Sequence, residues 1–219
     1  MQNGVICANH KDRMETIYMS FESLGLMPII LKNVHNAGYE TPTPIQLATI
    51  PLVMSGKDVL GVGKIEDIFN HRGLTQSNHA AGNEACTEAI IDYLKKDGWK
   101  GLLFANLVDT DMLYGHRNDV AGFAKALEDF DKRLPEIMRL LGDDGMLIVT
   151  ADHGCDPTYP TTDHTREKVP VLVWGLGVEE GLDLGERQSF ADVSATVLEA
   201  LGVRQKLDGT SFYGDIALD

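Results

Sequence analysis

Three short segments rich in Asp and His constrain the fold of this chain more than any other feature of its sequence. They read VDTDMLYGH at residues 108–116, TADHG at residues 150–154 and TDHTR at residues 162–166. Apolar runs lead into the first two segments, GLLFANLV at residues 101–108 and GMLIVT at residues 145–150. Short apolar runs separated by helical patterns predict buried parallel strands. We therefore expect an α/β protein.

The polar side chains of these segments are expected to meet at one place. Open α/β sheets gather their functional groups at the carboxyl ends of the strands. The predicted site consists of Asp111, His116, Asp152, His153 and His164. Carboxylates and imidazoles together suit Mn²⁺, Mg²⁺ or Zn²⁺. A single Asp-His pair after a strand is more often a loop cap or surface turn, and it is the repetition in three segments that favours a metal site.

The same segments resemble the phosphopentomutase family, whose members are two-manganese enzymes of the alkaline phosphatase superfamily. The resemblance rests on DMLYGHRND at residues 111–119, TADHGCDPT at residues 150–158 and TDHTRE at residues 162–167. It extends over residues 59 to about 212. The fold it implies is a partial alkaline-phosphatase-like sheet with flanking helices.

The resemblance also implies roles for individual residues. One metal would be bound by Asp111, His116 and His164, and the other by Asp152 and His153. Lys64 would lie near the substrate phosphate, although an ordinary surface lysine is an equal alternative. His79, in a polar stretch, matches no ligand motif. The implied cofactor is Mn²⁺, with Mg²⁺ or Zn²⁺ as alternatives, and the implied substrate is a pentose phosphate whose phosphate moves between C1 and C5.

Parts of the family's machinery have no counterpart in this sequence. In the resembled family the nucleophile threonine, one more metal-binding aspartate and the sugar-recognising cap all precede the element that GVGK forms here, at residues 61–64. The resemblance thus implies an isomerase-family metal-binding fragment with little or no turnover alone, which retains one of its two metal sites better than the other. The alternative is a metal-dependent phosphatase or phosphotransferase completed by another chain.

The N-terminal segment predicts a helix, a turn and a second helix. The first helical pattern, with Ile29 and Val34 on one side, ends at Gly38, and prolines precede a second helix at residues 43–54. Residues 21–60 resemble the Q motif of DEAD-box RNA helicases.

By this second resemblance, Phe21 would stack on adenine and Gln46 would read the edge of the base. The following GVGKI segment lacks the hydroxyl residue that a phosphate-binding loop carries after its lysine. The two resemblances meet at GKDVLG, residues 56–61, and predict a chimera divided into residues 1–58 and 59–219. A nucleotide-binding or RNA helicase-related fragment is the alternative function.

Further elements are predicted from periodicity. Strands are expected at residues 59–62 and 169–175, and helices at residues 83–96, 120–141 and 190–201. Pro135 should kink or divide the long helix. Its apolar positions recur at intervals of three and four, which predicts core packing for Phe123, Leu127, Phe130, Leu134, Met138 and Leu141.

The net charge and the cysteines of the chain indicate which binding partners and which cellular compartment to expect. The net charge is −14, and residues 1–58 carry only −1 of it, with four Lys or Arg against five Asp or Glu. An acidic surface repels phosphate backbones, which makes nucleic acid a poor partner. No apolar run is long enough to span a bilayer, and no signal peptide pattern occurs. Cys7, Cys86 and Cys155 are odd in number and far apart, which predicts free thiols and a cytoplasmic protein.

Overall fold

The structure is a computed structural model of the chain. It describes residues 6–7, 15–16, 20–42, 46, 50–51, 53–142, 145–175, 177–203 and 208–218. The chain forms two compact units, one of residues 1–57 and 186–213 and the other of residues 58–185 and 214–219. The first division falls beside the predicted boundary after residue 58, whereas residues 186–213 group with the N-terminal unit. The functional division into residues 1–58 and 59–219 stays a prediction.

The smaller unit consists of short strands and helices. They are the antiparallel strands Ile6–Cys7 and Glu15–Thr16, the 3-10 helix Phe21–Leu24, and the α-helices Pro28–Asn36 and Ala191–Ala200. The first predicted helix is confirmed, and Gly38, at φ +79°, follows its end in the left-handed conformation that glycine favours. Gln46, Ile50, Pro51, Val53 and Met54 have helical backbone, as predicted, and the other residues at 43–52 lie outside the described residues.

The apolar positions Val193, Val197 and Leu201 predict the packed face of the last helix, but the helix Ala191–Ala200 buries a different face. Asp192, Thr196 and Leu198 are buried, whereas Val193 and Val197 are half-buried. The buried Thr196 hydroxyl is satisfied because it donates to the Asp192 carbonyl at 2.8 Å and accepts from the backbone N–H of Phe212 at 3.0 Å. The spacing of apolar residues could not show that two polar residues, Asp192 and Thr196, would be buried and hydrogen-bonded within the protein.

A three-stranded parallel sheet forms the centre of the larger unit. Its hydrogen-bonded order is Gln76–Asn78, Asp58–Val62, Gly101–Ala105. The predicted strands at residues 59–62 and 101–108 are confirmed, the second being shorter than expected. The helix Asn83–Leu94 packs on this sheet through Cys86, Ala89, Ile90, Ile91 and Tyr93, which form a core cluster with Leu60, Val62 and Ile137.

The strand Met146–Thr150 departs from the predicted parallel arrangement. It pairs antiparallel with Val171–Gly175, with Ile148 opposite Val173, in a separate two-stranded sheet. The prediction of parallel strands is therefore wrong at this position. An apolar run predicts a strand, but its direction depends on which partner it meets. Both strands were correctly placed along the chain.

The long predicted helix is divided, as its proline indicated. Its two parts are Val120–Asp131 and Leu134–Leu141, with Pro135 in the first turn of the second. The predicted core packing is wrong for Leu127, which is 53 % exposed, and Ile137 is the buried residue instead. A periodic stripe identifies an apolar face without showing which part of it another element covers.

Four shorter helices complete the larger unit. They are the α-helix Ile65–Ile68, the π-helix Thr110–Tyr114, the 3-10 helix Gly115–Arg117 and the C-terminal helix Tyr213–Ile216, whose first residue belongs to the smaller unit. Within the described ranges, no helix has both the length and the apolar character needed to cross a membrane. The α/β fold expected from the sequence is confirmed.

Candidate metal centre

Asp109 fixes the chain where it leaves the parallel sheet. Its carboxylate accepts from the backbone N–H of Asn83 at 2.7 Å, and its own N–H donates to the Asn83 side-chain oxygen at 2.9 Å. This reciprocal pair joins the end of the strand to the first turn of the helix Asn83–Leu94, where free N–H groups need acceptors. The π-helix Thr110–Tyr114 starts from this anchor and carries Asp111. Single π-helical turns are frequent at functional sites.

Asp111 lies at the centre of three imidazole rings. Its Oδ1 atom is 3.2 Å from Nε2 of His116, 3.2 Å from Nε2 of His164 and 4.0 Å from Nε2 of His153. The rings of His153 and His164 stack with centroids 3.6 Å apart, and those of His116 and His164 are 4.9 Å apart. The structure thus brings these four predicted residues together.

The contacts behind two of the rings orient their Nε2 atoms toward Asp111. Nδ1 of His116 bonds the backbone carbonyl of Thr162, and Nδ1 of His153 bonds the carbonyl of Gly154 at 3.1 Å. A carbonyl only accepts, so in both rings Nδ1 carries the proton and Nε2 of a neutral ring keeps its lone pair. Backing of this kind fixes the tautomer of metal-binding histidines.

His164 is held in place by a bridge between two loops. The backbone N–H of Thr165 donates to the Gly154 carbonyl at 3.0 Å, and the two residues form an antiparallel bridge. This bridge joins the loop after the strand Met146–Thr150 to the loop that carries His164. It therefore accounts for the close stacking of His153 on His164.

The environment of the Asp111 carboxylate suits a metal ligand better than a carboxylate that only forms hydrogen bonds. Its Oδ1 atom is buried and has no hydrogen-bond partner among the described residues. A buried carboxylate oxygen is costly unless it is paired. Ligand atoms of Asp111, His153 and His164 all lie within 4.8 Å of one another, which is compatible with a single ion. Imidazole and carboxylate are ligands for Zn²⁺ and Mn²⁺ alike.

Asp152 lies at the edge of this cluster. Its Oδ1 atom is 3.6 Å from Nε2 of His153, and its side chain is 73 % exposed. Nε2 of His153 is also 4.0 Å from Asp111, and the His153 ring stacks on that of His164. The five predicted residues therefore form one continuous cluster in this arrangement, and the predicted division into two ligand sets stays a prediction.

Cys155 packs beneath the cluster as a neutral thiol. A Cβ atom added at Gly115 would be 2.2 Å from its sulfur, so the glycine permits this close approach. Burial raises the pKa of the Cys155 thiol, and the nearby charge of Asp111 raises it further. Both effects oppose a thiolate ligand. The thiols of Cys86 and Cys155 are free, as predicted.

Lys64 lines a cleft that the π-helix borders. The cleft has a volume of about 270 Å³, and its wall includes Asp67, His79, Asp109 and Met112. The Lys64 ammonium is 3.0 Å from the Met112 sulfur. The π-helix Thr110–Tyr114 therefore places Asp111 beside the histidines and Met112 beside Lys64. A role of Lys64 toward a substrate phosphate stays a prediction.

The two residues expected to recognise adenine occupy different environments. Phe21 is 2 % exposed, so its ring offers no free face for stacking on a base in this arrangement. Gln46 is half-buried in helical backbone. Their adenine-binding role stays a prediction, and the burial of Phe21 weighs against it.

Sequence reasoning missed a second group of potential ligands, Glu66, His71 and His79. His79 matches no ligand motif, and no sequence pattern links it to His71 or Glu66. The available signal was the position of His79 directly after the short strand Gln76–Asn78, the same strand-end logic that identified Asp111.

Comparisons with known proteins identify related metalloenzymes. A family profile described as the metalloenzyme superfamily matches residues 52–205, more than half of the chain. The phosphopentomutase of Acetivibrio thermocellus is 51 % identical over 164 residues, covering 75 % of this chain and 42 % of that protein. The phosphopentomutase of Kosmotoga olearia is 47 % identical over 193 residues, covering 88 % of this chain and 49 % of that protein.

A solved structure supports the fold. Phosphoglycerate mutase of Leishmania mexicana, determined at low cobalt concentration, superposes with a TM-score of 0.52 and 25 % identity, over 73 % of this chain and 37 % of that chain. A structure from Pyrococcus horikoshii superposes with the same TM-score at 16 % identity, which bears on the fold alone.

The extent of these alignments bears on the domain prediction. A stretch of 193 aligned residues cannot lie wholly after Asp58 in a chain of 219, so the likeness to the Kosmotoga olearia protein reaches into the N-terminal segment. A separate helicase origin of that segment is not shown. The chain spans less than half the length of these curated relatives. From the match over residues 52–205, the chain belongs to the metalloenzyme superfamily.

Proposed function

We propose that this chain is a metal-binding part of a phosphopentomutase-type phosphotransferase, which acts on pentose phosphates. The observation that carries the proposal is the buried Oδ1 atom of Asp111, which has no hydrogen-bond partner among the described residues and faces three imidazole nitrogens at 3.2–4.0 Å. Relatives named phosphopentomutase, about 50 % identical to this chain over most of its length, supply the substrate class.

The proposed ligands are Asp111, His116, His153 and His164, with Asp152 available to a second ion. When bound, a divalent cation polarises phosphoryl oxygens and stabilises the charge that develops during transfer. The backing carbonyls of Thr162 and Gly154 keep two of the rings correctly oriented before any ion arrives. Mn²⁺ is the proposed ion, with Mg²⁺ and Zn²⁺ as alternatives.

Lys64 has a proposed role in holding the substrate. Its ammonium group donates to the sulfur of Met112, which is a weak acceptor, so turning from this sulfur toward a phosphate would replace a weak hydrogen bond by a strong one. The cleft that it lines has room for a small phosphorylated sugar. Asp67 and Asp109 on the same wall are acceptors for sugar hydroxyls.

We further propose that these 219 residues alone have low mutase turnover. Moving a phosphate between two positions of a sugar requires a group that holds it in between, and no loop here matches the family's threonine nucleophile. Positioning of reacting groups can contribute about 7–11 kcal/mol to lowering a barrier. Transfer therefore depends on such a group and on contacts that hold the sugar, whereas slow hydrolysis of an activated phosphate ester needs only a polarised water.

The assay supplies ribose 1-phosphate, Mn²⁺ and a priming sugar bisphosphate, and follows ribose 5-phosphate. We expect turnover many orders of magnitude below that of a full-length phosphopentomutase. Mn²⁺-dependent hydrolysis of an activated ester should be lost in Asp111→Asn and retained in Asp119→Asn, a matched change on the same segment.

Two results would count against the proposal. Mutase turnover within a few orders of magnitude of the full-length enzyme, abolished in Asp111→Asn, would show that the chain contains its own nucleophile. Absence of Mn²⁺ binding would remove the metal centre and the proposal with it.

The nucleotide-binding alternative is opposed by the environment of Phe21. It requires Phe21 to leave its buried position, and the acidic net charge opposes polyphosphate binding. ATP binding that is lost in Gln46→Ala would support it. The chimeric origin and a cytoplasmic location also stay predictions.

A further inference from the structure

Glu66 lies between two histidines in the larger unit, and none of these three residues belongs to the Asp111 cluster. Its Oε2 atom is 2.6 Å from Nε2 of His79, and its Oε1 atom is 3.5 Å from Nδ1 of His71. The neighbouring Asp67 lies within 3.8 Å of His71 and 4.0 Å of His79. One ligand atom from each of Glu66, His71 and His79 falls within 4.8 Å of the other two.

Two separate pieces of backbone hold the histidines beside Glu66. After the helix Ile65–Ile68, the chain reverses through Asn70 and His71, both at positive φ (52° and 56°), and the His71 N–H donates to the Glu66 carbonyl at 2.8 Å. A left-handed conformation is uncommon for residues other than glycine and has to be held by its surroundings.

The second piece of backbone is the strand end before His79. The strand Gln76–Asn78 runs parallel to Asp58–Val62, and the Gly63 N–H donates to the Asn78 carbonyl at 2.9 Å. This bond fixes the residue that precedes His79 against the start of the helix that carries Glu66. The two imidazoles therefore come from different loops and face each other at 6.2 Å between centroids, with 26° between their planes.

We infer that Glu66, His71 and His79 form a second metal site, which takes a transition metal ion of the zinc class. Two imidazoles and one carboxylate, with room left for water, are a ligand set used for Zn²⁺ in proteins. Imidazole-rich sites hold Zn²⁺ more tightly than Mn²⁺ in the general affinity order of divalent ions. The site shares no ligand with the Asp111 cluster.

Metal binding here would stiffen one wall of the Lys64 cleft. His79 and Asp67 line that cleft, and His71 lies on the turn before the strand Gln76–Asn78. An ion held by all three ligands would tie the turn at His71 to the strand end at His79. The competing explanation of these contacts is that the histidines are protonated and form ion pairs with the carboxylates, without binding a metal.

A calorimetric titration with Zn²⁺ distinguishes these two cases in the full chain. The Asp111→Asn background weakens the first cluster, so that the second site is measured. We expect this protein to bind about one equivalent of Zn²⁺. Adding His71→Ala, His79→Ala or Glu66→Gln should lower the affinity at least tenfold, since loss of even an outer contact costs about 10–100-fold.

His35→Ala in the same background is the matched control. His35 also pairs with a glutamate, Glu22, at 3.0 Å, but belongs to no group of three ligands in the described part of the chain. Its Zn²⁺ affinity should equal that of the background protein, and circular dichroism checks that each variant is folded. Absence of Zn²⁺ binding in the background protein, or equal affinity in folded Glu66→Gln and His79→Ala variants, would overturn the inference.

Discussion

Replacing Asp111 by asparagine should separate metal binding from folding. The substitution keeps the shape of the side chain and removes the negative charge that faces Nε2 of His116 and His164 at 3.2 Å. Outer contacts of metal sites are worth about 10–100-fold in affinity, so loss of the central carboxylate should cost at least 100-fold. That factor corresponds to about 2.8 kcal/mol.

The same substitution should not destabilise the metal-free chain. The Oδ1 atom of Asp111 is buried without a hydrogen-bond partner among the described residues, and an unpaired buried charge costs more than an unpaired amide oxygen. We therefore expect an equal or higher Tm for the variant in EDTA. A residue that served only to stabilise the fold would show the opposite effect.

Thermal unfolding with and without Mn²⁺ measures both expectations. At a free Mn²⁺ concentration of about 100 times Kd, binding stabilises the native chain by about 2.7 kcal/mol. In a chain of this size each kcal/mol raises Tm by about 2–4 °C, so the wild type should gain about 5–11 °C.

The comparison needs a charge-matched control. Asp119→Asn removes the same charge, and asparagine can keep the helix-capping bond that Asp119 makes with Gly122 N–H at 2.9 Å. It should gain as much as the wild type on adding Mn²⁺. A gain in Asp111→Asn equal to that of Asp119→Asn would refute the assignment of Asp111 as a metal ligand.

Two further predictions concern the larger unit. Gly101→Ala should lower the free energy of unfolding by several kcal/mol, as measured by urea denaturation. The added Cβ would lie 2.0 Å from the Asp58 carbonyl oxygen, so the two paired strands would have to separate. Unchanged stability would contradict this close contact. The pKa of Glu88 is lowered below its usual 4.5 by a hydrogen bond from Arg133, so this pair stabilises the fold above that pH and the contribution is lost as pH falls through the lowered value. Glu88→Gln should therefore flatten the fall in Tm below pH 4.5, and an acid profile identical to that of the wild type would show that the pair contributes nothing.

The order of strands and helices could be predicted because its signals are local. Apolar runs located the strands Gly101–Ala105 and Met146–Thr150, and Pro135 located the break between two helices. The antiparallel pairing of Met146–Thr150 could not be predicted, because it depends on a partner more than twenty residues away. The exposure of Leu127 was equally inaccessible, since it depends on what packs over the helix.

The sequence could predict which residues belong to the candidate site, but not how they are arranged in space. Strand-end positions and the Asp-His motifs brought forward all five residues of the cluster. The stacking of His153 on His164 depends on the bridge between Gly154 and Thr165, which the sequence does not indicate. The sequence also does not show that the Oδ1 atom of Asp111 is buried without a hydrogen-bond partner among the described residues. The position of His71 beside Glu66 could not be predicted, because it depends on a left-handed turn at Asn70 and His71. The segment FNHRG, at residues 69–73, contains no clear signal for that turn.

The central claim is that the Asp111 cluster is a metal centre that holds one divalent ion better than a second. Its most direct test is metal analysis of the chain after saturation with Mn²⁺ and dialysis, for the wild type, His164→Ala and the control His35→Ala. We predict about one tightly held Mn²⁺ per chain in the wild type and in His35→Ala, and at least tenfold weaker binding in His164→Ala, which lacks a nitrogen 3.2 Å from Asp111. Two tightly held ions per chain, or equal Mn²⁺ retention in His164→Ala and His35→Ala, would contradict the account.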